Sequence, residues 1–191
     1  ETLNPKVWCN RWPGDGMTVY TLCSTDPAGH HGPLLSVPHE EGRHYVDLWN
    51  DRPLTTERQA GRDVISLSVD GYVPGRRGGE GDYSAGCVAS LPTVLTLDLL
   101  FETLTILATR VPEEGLFEIR LDRVRPDVEP VRVPAREMVE VDLVKAFGRQ
   151  SNEAIVVRLV DRNGQLVDEA IVGESVLRFF RIDRPQRTRT V

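Results

Sequence analysis

The feature that most limits how this chain can fold is a pair of apolar runs broken by a turn. Ala-Ile-Val-Val-Arg-Leu-Val at 154–160 and Leu-Val-Asp-Glu-Ala-Ile-Val at 166–172 flank Asp161-Arg162-Asn163-Gly164-Gln165. Both runs are rich in β-branched residues, whose restricted χ1 suits a pleated strand better than a helix. Asn-Gly between two such runs is the strongest short-range hairpin signal, because Asn163 and Gly164 both accept positive φ. A chain with this segment must place at least part of itself in antiparallel sheet.

Similar punctuation recurs through the first half. Extended runs are expected over 6–12, 18–24, 34–37, 44–49, 64–69 and 87–91. Turn signals separate them: Pro13-Gly14-Asp15-Gly16, Asp26-Pro27-Ala28-Gly29, Asn50-Asp51-Arg52-Pro53 and Asp70-Gly71. Residues 74–86 are glycine-rich with few apolar side chains, which predicts a long mobile loop. Short strands at 8–15-residue spacing with turns between them point to a sandwich or barrel.

The period then changes. Leu97, Leu100, Phe101, Leu104, Leu107, Ala108 and Val111 share one face at 3.6 residues per turn, and Pro112 supplies a stop. The spacing predicts a helix over 97–110, against the Thr content and the alternation at 95–99, which favour strand. Strand signals return over 116–124, 131–133, 138–144 and in the hairpin, with a last strand over 176–182. The expected architecture is all-β: two small antiparallel β-sandwich-like units, 1–92 and 113–183, joined by one helix within 93–112, with an Arg-rich disordered tail over 184–191.

Composition narrows the function classes. The 191 residues carry a net charge of −6, so the bulk of the chain lacks the basic face that nucleic-acid binding needs, and no nucleic-acid partner is expected. The exception is Arg178, Arg181, Arg184, Arg187 and Arg189, which read as a solvated tail. No stretch approaches 18 apolar residues, so no membrane partner is expected. No basic-then-apolar leader opens the chain; it begins with Glu1, which suggests a processed or excised segment. Cys9, Cys23 and Cys87 are too few and too odd in number for a disulfide framework. Buried free thiols are the expectation, with a Cys9–Cys23 disulfide as the alternative, since the two lie on consecutive strands.

No chemistry-bearing constellation stands out. His39 and His44 flank Glu40-Glu41-Gly42-Arg43, but they are five apart and the zinc motif His-Glu-x-x-His needs four on one helical face. The cysteines lack Cys-x-x-Cys spacing, and Gly78-Gly79-Glu80-Gly81 leads into no helix that would cradle a phosphate. No catalytic residue, metal site or cofactor is expected. Trp8, Trp12 and Trp49 are the more informative set. Packing in or over a sandwich is expected for Trp8 and Trp12, at opposite ends of one strand; sugar contact by Trp12 and Trp49 is the functional alternative.

Residues 6–91 resemble the C-terminal β-sandwich domain attached to TIM-barrel glycoside hydrolases of the α-galactosidase and α-amylase kind. The segments that carry the likeness are Val7-Trp8-Cys9-Asn10-Arg11-Trp12, Thr18-Val19-Tyr20-Thr21-Leu22, Gly32-Pro33-Leu34-Leu35-Ser36-Val37, His44-Tyr45-Val46-Asp47-Leu48-Trp49-Asn50, Ile65-Ser66-Leu67 and Gly86-Cys87-Val88-Ala89. The resemblance implies a non-catalytic ancillary region of a larger carbohydrate-active enzyme. Its partner would be the catalytic domain of the same or a larger polypeptide, with carbohydrate as a second ligand and an extracellular or periplasmic setting. The alternatives are an independent carbohydrate-binding module and a structural or adhesion β-sandwich protein.

Overall fold

Period-two alternation governs most of the chain. The computed structural model describes residues 1–50, 52–71, 85–121, 129–148 and 154–173. Its elements in chain order begin with β1 (Val7–Pro13), β2 (Thr18–Ser24), β3 (His30–Pro38), β4 (Arg43–Asp47), β5 (Arg52–Pro53), β6 (Thr55–Gln59), β7 (Arg62–Val69) and β8 (Ala85–Pro92). They continue with β9 (Leu95–Leu100), β10 (Thr103–Ala108), β11 (Leu116–Leu121), β12 (Val131–Pro134), β13 (Met138–Asp142), the helix α1 (Leu143–Phe147), β14 (Ile155–Val160) and β15 (Leu166–Val172). The fold is all-β, in antiparallel sheets.

The chain divides into two compact units. The first comprises Glu1–Val94 together with Asn163–Glu169. It contains a five-stranded sheet, β1-β2-β8-β4-β5, and a three-stranded sheet, β3-β7-β6. Their inner faces share one core: Val7, Tyr20, Leu22, Tyr45 and Val88 from the first, and Leu34, Leu35, Val37, Ile65, Leu67 and Val69 from the second. Full burial of a residue such as Ile65 contributes about 1.5–3 kcal/mol. A bulge between Pro33 and Leu35 turns both Leu34 and Leu35 inward. On the reverse face of the five-stranded sheet, Val46, Ala89 and Leu91 form a second buried cluster, over which Leu166 packs.

The second unit comprises Leu95–Arg162 and Ala170–Val191. One sheet runs β13-β10-β9 and the other β12-β11-β14-β15. The first buries Leu95, Leu104, Ile106, Ala108 and Val141; the second buries Phe117, Ile119, Ile155, Val157 and Leu159.

The helix expected over 97–110 is not there. The segment is the hairpin of β9 and β10, with Leu100 opposite Thr103 and Phe101-Glu102 at the turn. The apolar residues satisfy both periods, and alternation wins: Leu104, Ile106 and Ala108 are buried while Thr103 and Leu107 face out. Leu100 and Phe101, central to the supposed helical face, are 64% and 92% exposed. Thr96, Thr103 and Thr105 also disfavour helix through their β-branched side chains. Of the expected strand 138–144, Met138–Asp142 forms β13, and its last two residues open α1, the one helix among the described residues; Asp142 caps it by accepting from the Lys145 N–H, and Gly148 ends it in a left-handed conformation.

The 161–165 hairpin forms, but Asn163 does not adopt positive φ; Gly164 alone does, at +76°. Five connecting residues allow a looser loop than a two-residue turn. A turn with both residues at positive φ occurs instead at Ala60-Gly61 (+48° and +77°), between Gln59 and Arg62. The expected strand over 176–182, the tail over 184–191 and the loop over 74–86 lie outside the described residues, except that Ala85 and Gly86 open β8.

Candidate functional site

Strand β1 is an edge of the five-stranded sheet, and its alternation separates two kinds of surface. Val7, Cys9 and Arg11 point to the inner side; Trp8, Asn10 and Trp12 point out. The register sets Cys23, Thr21 and Val19 of β2 beside that outward row, and Ala85, Cys87 and Ala89 of β8 beyond them. Trp8 and Trp12 are 58% and 59% exposed, so neither is part of the core; both lie over the outer face of the sheet. Four residues of strand separate their Cα atoms by about 13 Å on one face. The Trp12 indole N–H donates to the Thr21 hydroxyl at 3.0 Å, which fixes the ring against the sheet.

Trp49 is 55% exposed but stands apart from that row. It follows β4, and β2 and β8 intervene between β4 and β1. Its turn is held by Asp47, whose carboxylate is buried and accepts from the Trp49 N–H at 3.0 Å, the Asn50 N–H at 3.1 Å, the Asn50 side-chain amide at 2.7 Å and the Arg52 guanidinium at 3.2 Å. The structure therefore groups Trp12 with Trp8 and separates both from Trp49. Trp8, absent from the expected contact pair, was recoverable: an even spacing along a strand puts two residues on one face.

The thiols are free. Cys9 pairs with Leu22 and Cys23 with Trp8, so the two cysteines occupy opposite faces and cannot form the alternative disulfide. Cys87 shares the outward face with Cys23. Burial pushes the Cys9 and Cys87 thiols above the usual cysteine range, which disfavours thiolate chemistry there.

The histidines are each bound elsewhere. His39 Nδ1 lies 2.8 Å from Asp63 Oδ1, and the Tyr45 hydroxyl donates to Asp63 Oδ2 at 3.2 Å. His44 Nε2 lies 3.3 Å from Asp168 Oδ1 and 3.1 Å from the Glu169 carbonyl oxygen. His30 meets the Pro33 carbonyl and His31 the Ser68 hydroxyl, both at 3.0 Å. Among the described residues no three His, Cys, Asp or Glu side chains converge on one point.

A cleft of about 430 Å³ opens beside β1, lined by Trp8, Cys9, Arg11, Tyr20, Ser36 and Arg62 among others. No family model matches the chain, and no curated protein is significantly similar to it.

Proposed function

We propose that this chain is a non-catalytic ancillary region of a larger carbohydrate-active enzyme, and that it contacts carbohydrate through the outward face of β1. The observation that supports this reading best is the pair Trp8 and Trp12, two indoles more than half exposed on one face of one strand. An exposed indole leaves a large apolar area in water, and two aligned on a sheet form a flat surface of the kind that the C–H faces of pyranose rings stack upon. Asn10 between them and the Thr21 hydroxyl supply polar groups at the same level. The resemblance of residues 6–91 to a glycosidase C-terminal domain points the same way by analogy.

A second observation supports the catalytic-domain partner. In the second unit, Leu107 and Met138 are adjacent on the outward face of β10 and β13, and the exposed Leu100 and Phe101 end the β9–β10 hairpin. The polar row Asp98, Thr105 and Glu140 lies between the two groups, so they are two small apolar contacts, each of a kind that a packed neighbouring domain covers.

The test is affinity electrophoresis against a panel of neutral and acidic polysaccharides. The chain is expected to be retarded by at least one of them. Trp8→Ala and Trp12→Ala are expected to weaken that binding about tenfold or more, the loss of one stacking contact. Trp49→Ala is expected to have a smaller effect. Equal mobility in every glycan would sink the reading.

A further inference from the structure

Cover over the inner side of β1 runs out along the strand. Val7 is fully buried, Cys9 half-buried, and Arg11 and Pro13 are exposed. The cleft of about 430 Å³ runs along this strand from Val7 to Arg11, a volume suited to one sugar ring with its neighbours. Two guanidinium groups border it. Arg62 is fixed in place: its Nε donates to the Ser36 hydroxyl at 2.7 Å and its Nη2 to the Ser36 carbonyl oxygen at 2.7 Å. The Arg11 side chain makes no hydrogen bond or ion pair among the described residues, although Tyr20 stands opposite it in the register. Glu1 also lines the cleft; its amino group donates to the Ser36 carbonyl oxygen at 3.2 Å, and its carboxylate forms no ion pair with either arginine among the described residues. Trp8 belongs both to this lining and to the outward tryptophan row, so the two surfaces are continuous at the strand edge.

We infer that the cleft reads the carboxylate of a uronic-acid residue, so that the glycan contacted is an acidic polysaccharide; this rests on the carbohydrate reading above. The planar guanidinium fork of Arg11 matches a carboxylate bidentately. The prefixed Arg62 adds a second positive charge without further ordering. Tyr20 borders the cleft from the inner face and Trp8 from the strand edge, the apolar contacts available to the ring that carries the acid. A neutral sugar would leave both arginines without a counter-charge.

Isothermal titration of the full chain with trimers of galacturonate, glucuronate and mannuronate, with their methyl esters, and with neutral trimers tests this. At least one acidic trimer is expected to bind at least tenfold tighter than its ester, with affinity falling as NaCl rises from 50 to 500 mM. Arg11→Ala is expected to abolish that preference and Arg11→Lys to restore part of it; Arg11 is exposed, so both variants should fold. If acid and ester bind equally, if only neutral trimers bind, or if Arg11→Ala leaves the preference intact, the inference fails while the carbohydrate reading stands. If neither these trimers nor any polysaccharide of the wider panel binds, both fall.

Discussion

Asp47 shows how one side chain can carry a local pattern. The Asp47-Leu48-Trp49-Asn50 stretch looks in sequence like a family signature, and the structure supplies its physical content. A buried carboxylate accepts from two backbone N–H groups, an amide and a guanidinium, and so fixes the turn that presents Trp49. Removing it strands those donors, and Asp47→Ala is expected to lower stability by about 2–4 kcal/mol in urea unfolding. Asp47→Asn should cost less, since it keeps two of the acceptor contacts. The role of Asp47 was half legible: an Asp beside a turn is expected, but burial is not a property of four residues. His39 and His44 illustrate the opposite limit. Their partners Asp63, Asp168 and Glu169 are 24, 124 and 125 positions away, so the spacing His39 to His44 said only what they are not.

Elements were legible where alternation was clean and ambiguous where two periods coincided. The strands expected at 18–24, 64–69, 154–160 and 166–172 follow runs of β-branched and apolar residues, and they form as Thr18–Ser24, Arg62–Val69, Ile155–Val160 and Leu166–Val172. Strand β6 was invisible because all of Thr55–Gln59 is exposed and polar, with pairing supplied by β7 alone. The 97–110 segment fits helix and strand periods alike; what decides it is the turn at Phe101-Glu102, which no turn residue announces. Phe101 sits there at φ +53°, a region that bulky residues enter at a cost of about 1–2 kcal/mol. Because its ring is 92% exposed, little burial is lost on replacement. Phe101→Asn is therefore expected to stabilise the chain by about 0.5–1 kcal/mol, raising the thermal midpoint by about 1–4 °C. A fall in the midpoint would mean that the ring packs on something that holds the hairpin. A bulky residue at a strained and exposed position also fits the partner-facing role proposed for this tip.

At the level of the whole molecule, the all-β class followed from turn-punctuated short runs, but the composition of the units did not. Contacts such as the Val94 N–H to Asp168 at 2.8 Å, or His44 to Glu169, join residues 74 and 125 positions apart, which no local pattern encodes. The two sheets of the first unit are also tied by a polar link, the Tyr45 hydroxyl to Asp63, at a tyrosine only 3% exposed. Burial and the neighbouring Asp63 carboxylate hold the Tyr45 hydroxyl far above the usual tyrosine range. A pKa raised by folding means stability that is complete below the unfolded value, about 10, and lost as pH climbs beyond it. Urea midpoints are thus expected to fall from about pH 10 upward. Tyr45→Phe should cost about 1 kcal/mol at pH 7 and give a shallower alkaline decline. An alkaline limb unchanged in Tyr45→Phe would place its cause in another group.

Asn163–Glu169 counts with the first unit, where Leu166 lies over Val46, Ala89 and Leu91. During synthesis, the ribosome must therefore translate all of Leu95–Arg162 before Leu166 joins Met17 and Leu48 over that patch. A gene fragment cut after Val94 would encode a product in which Met17 and Leu48 still cover this cluster but Leu166 is missing, leaving it more open to self-association.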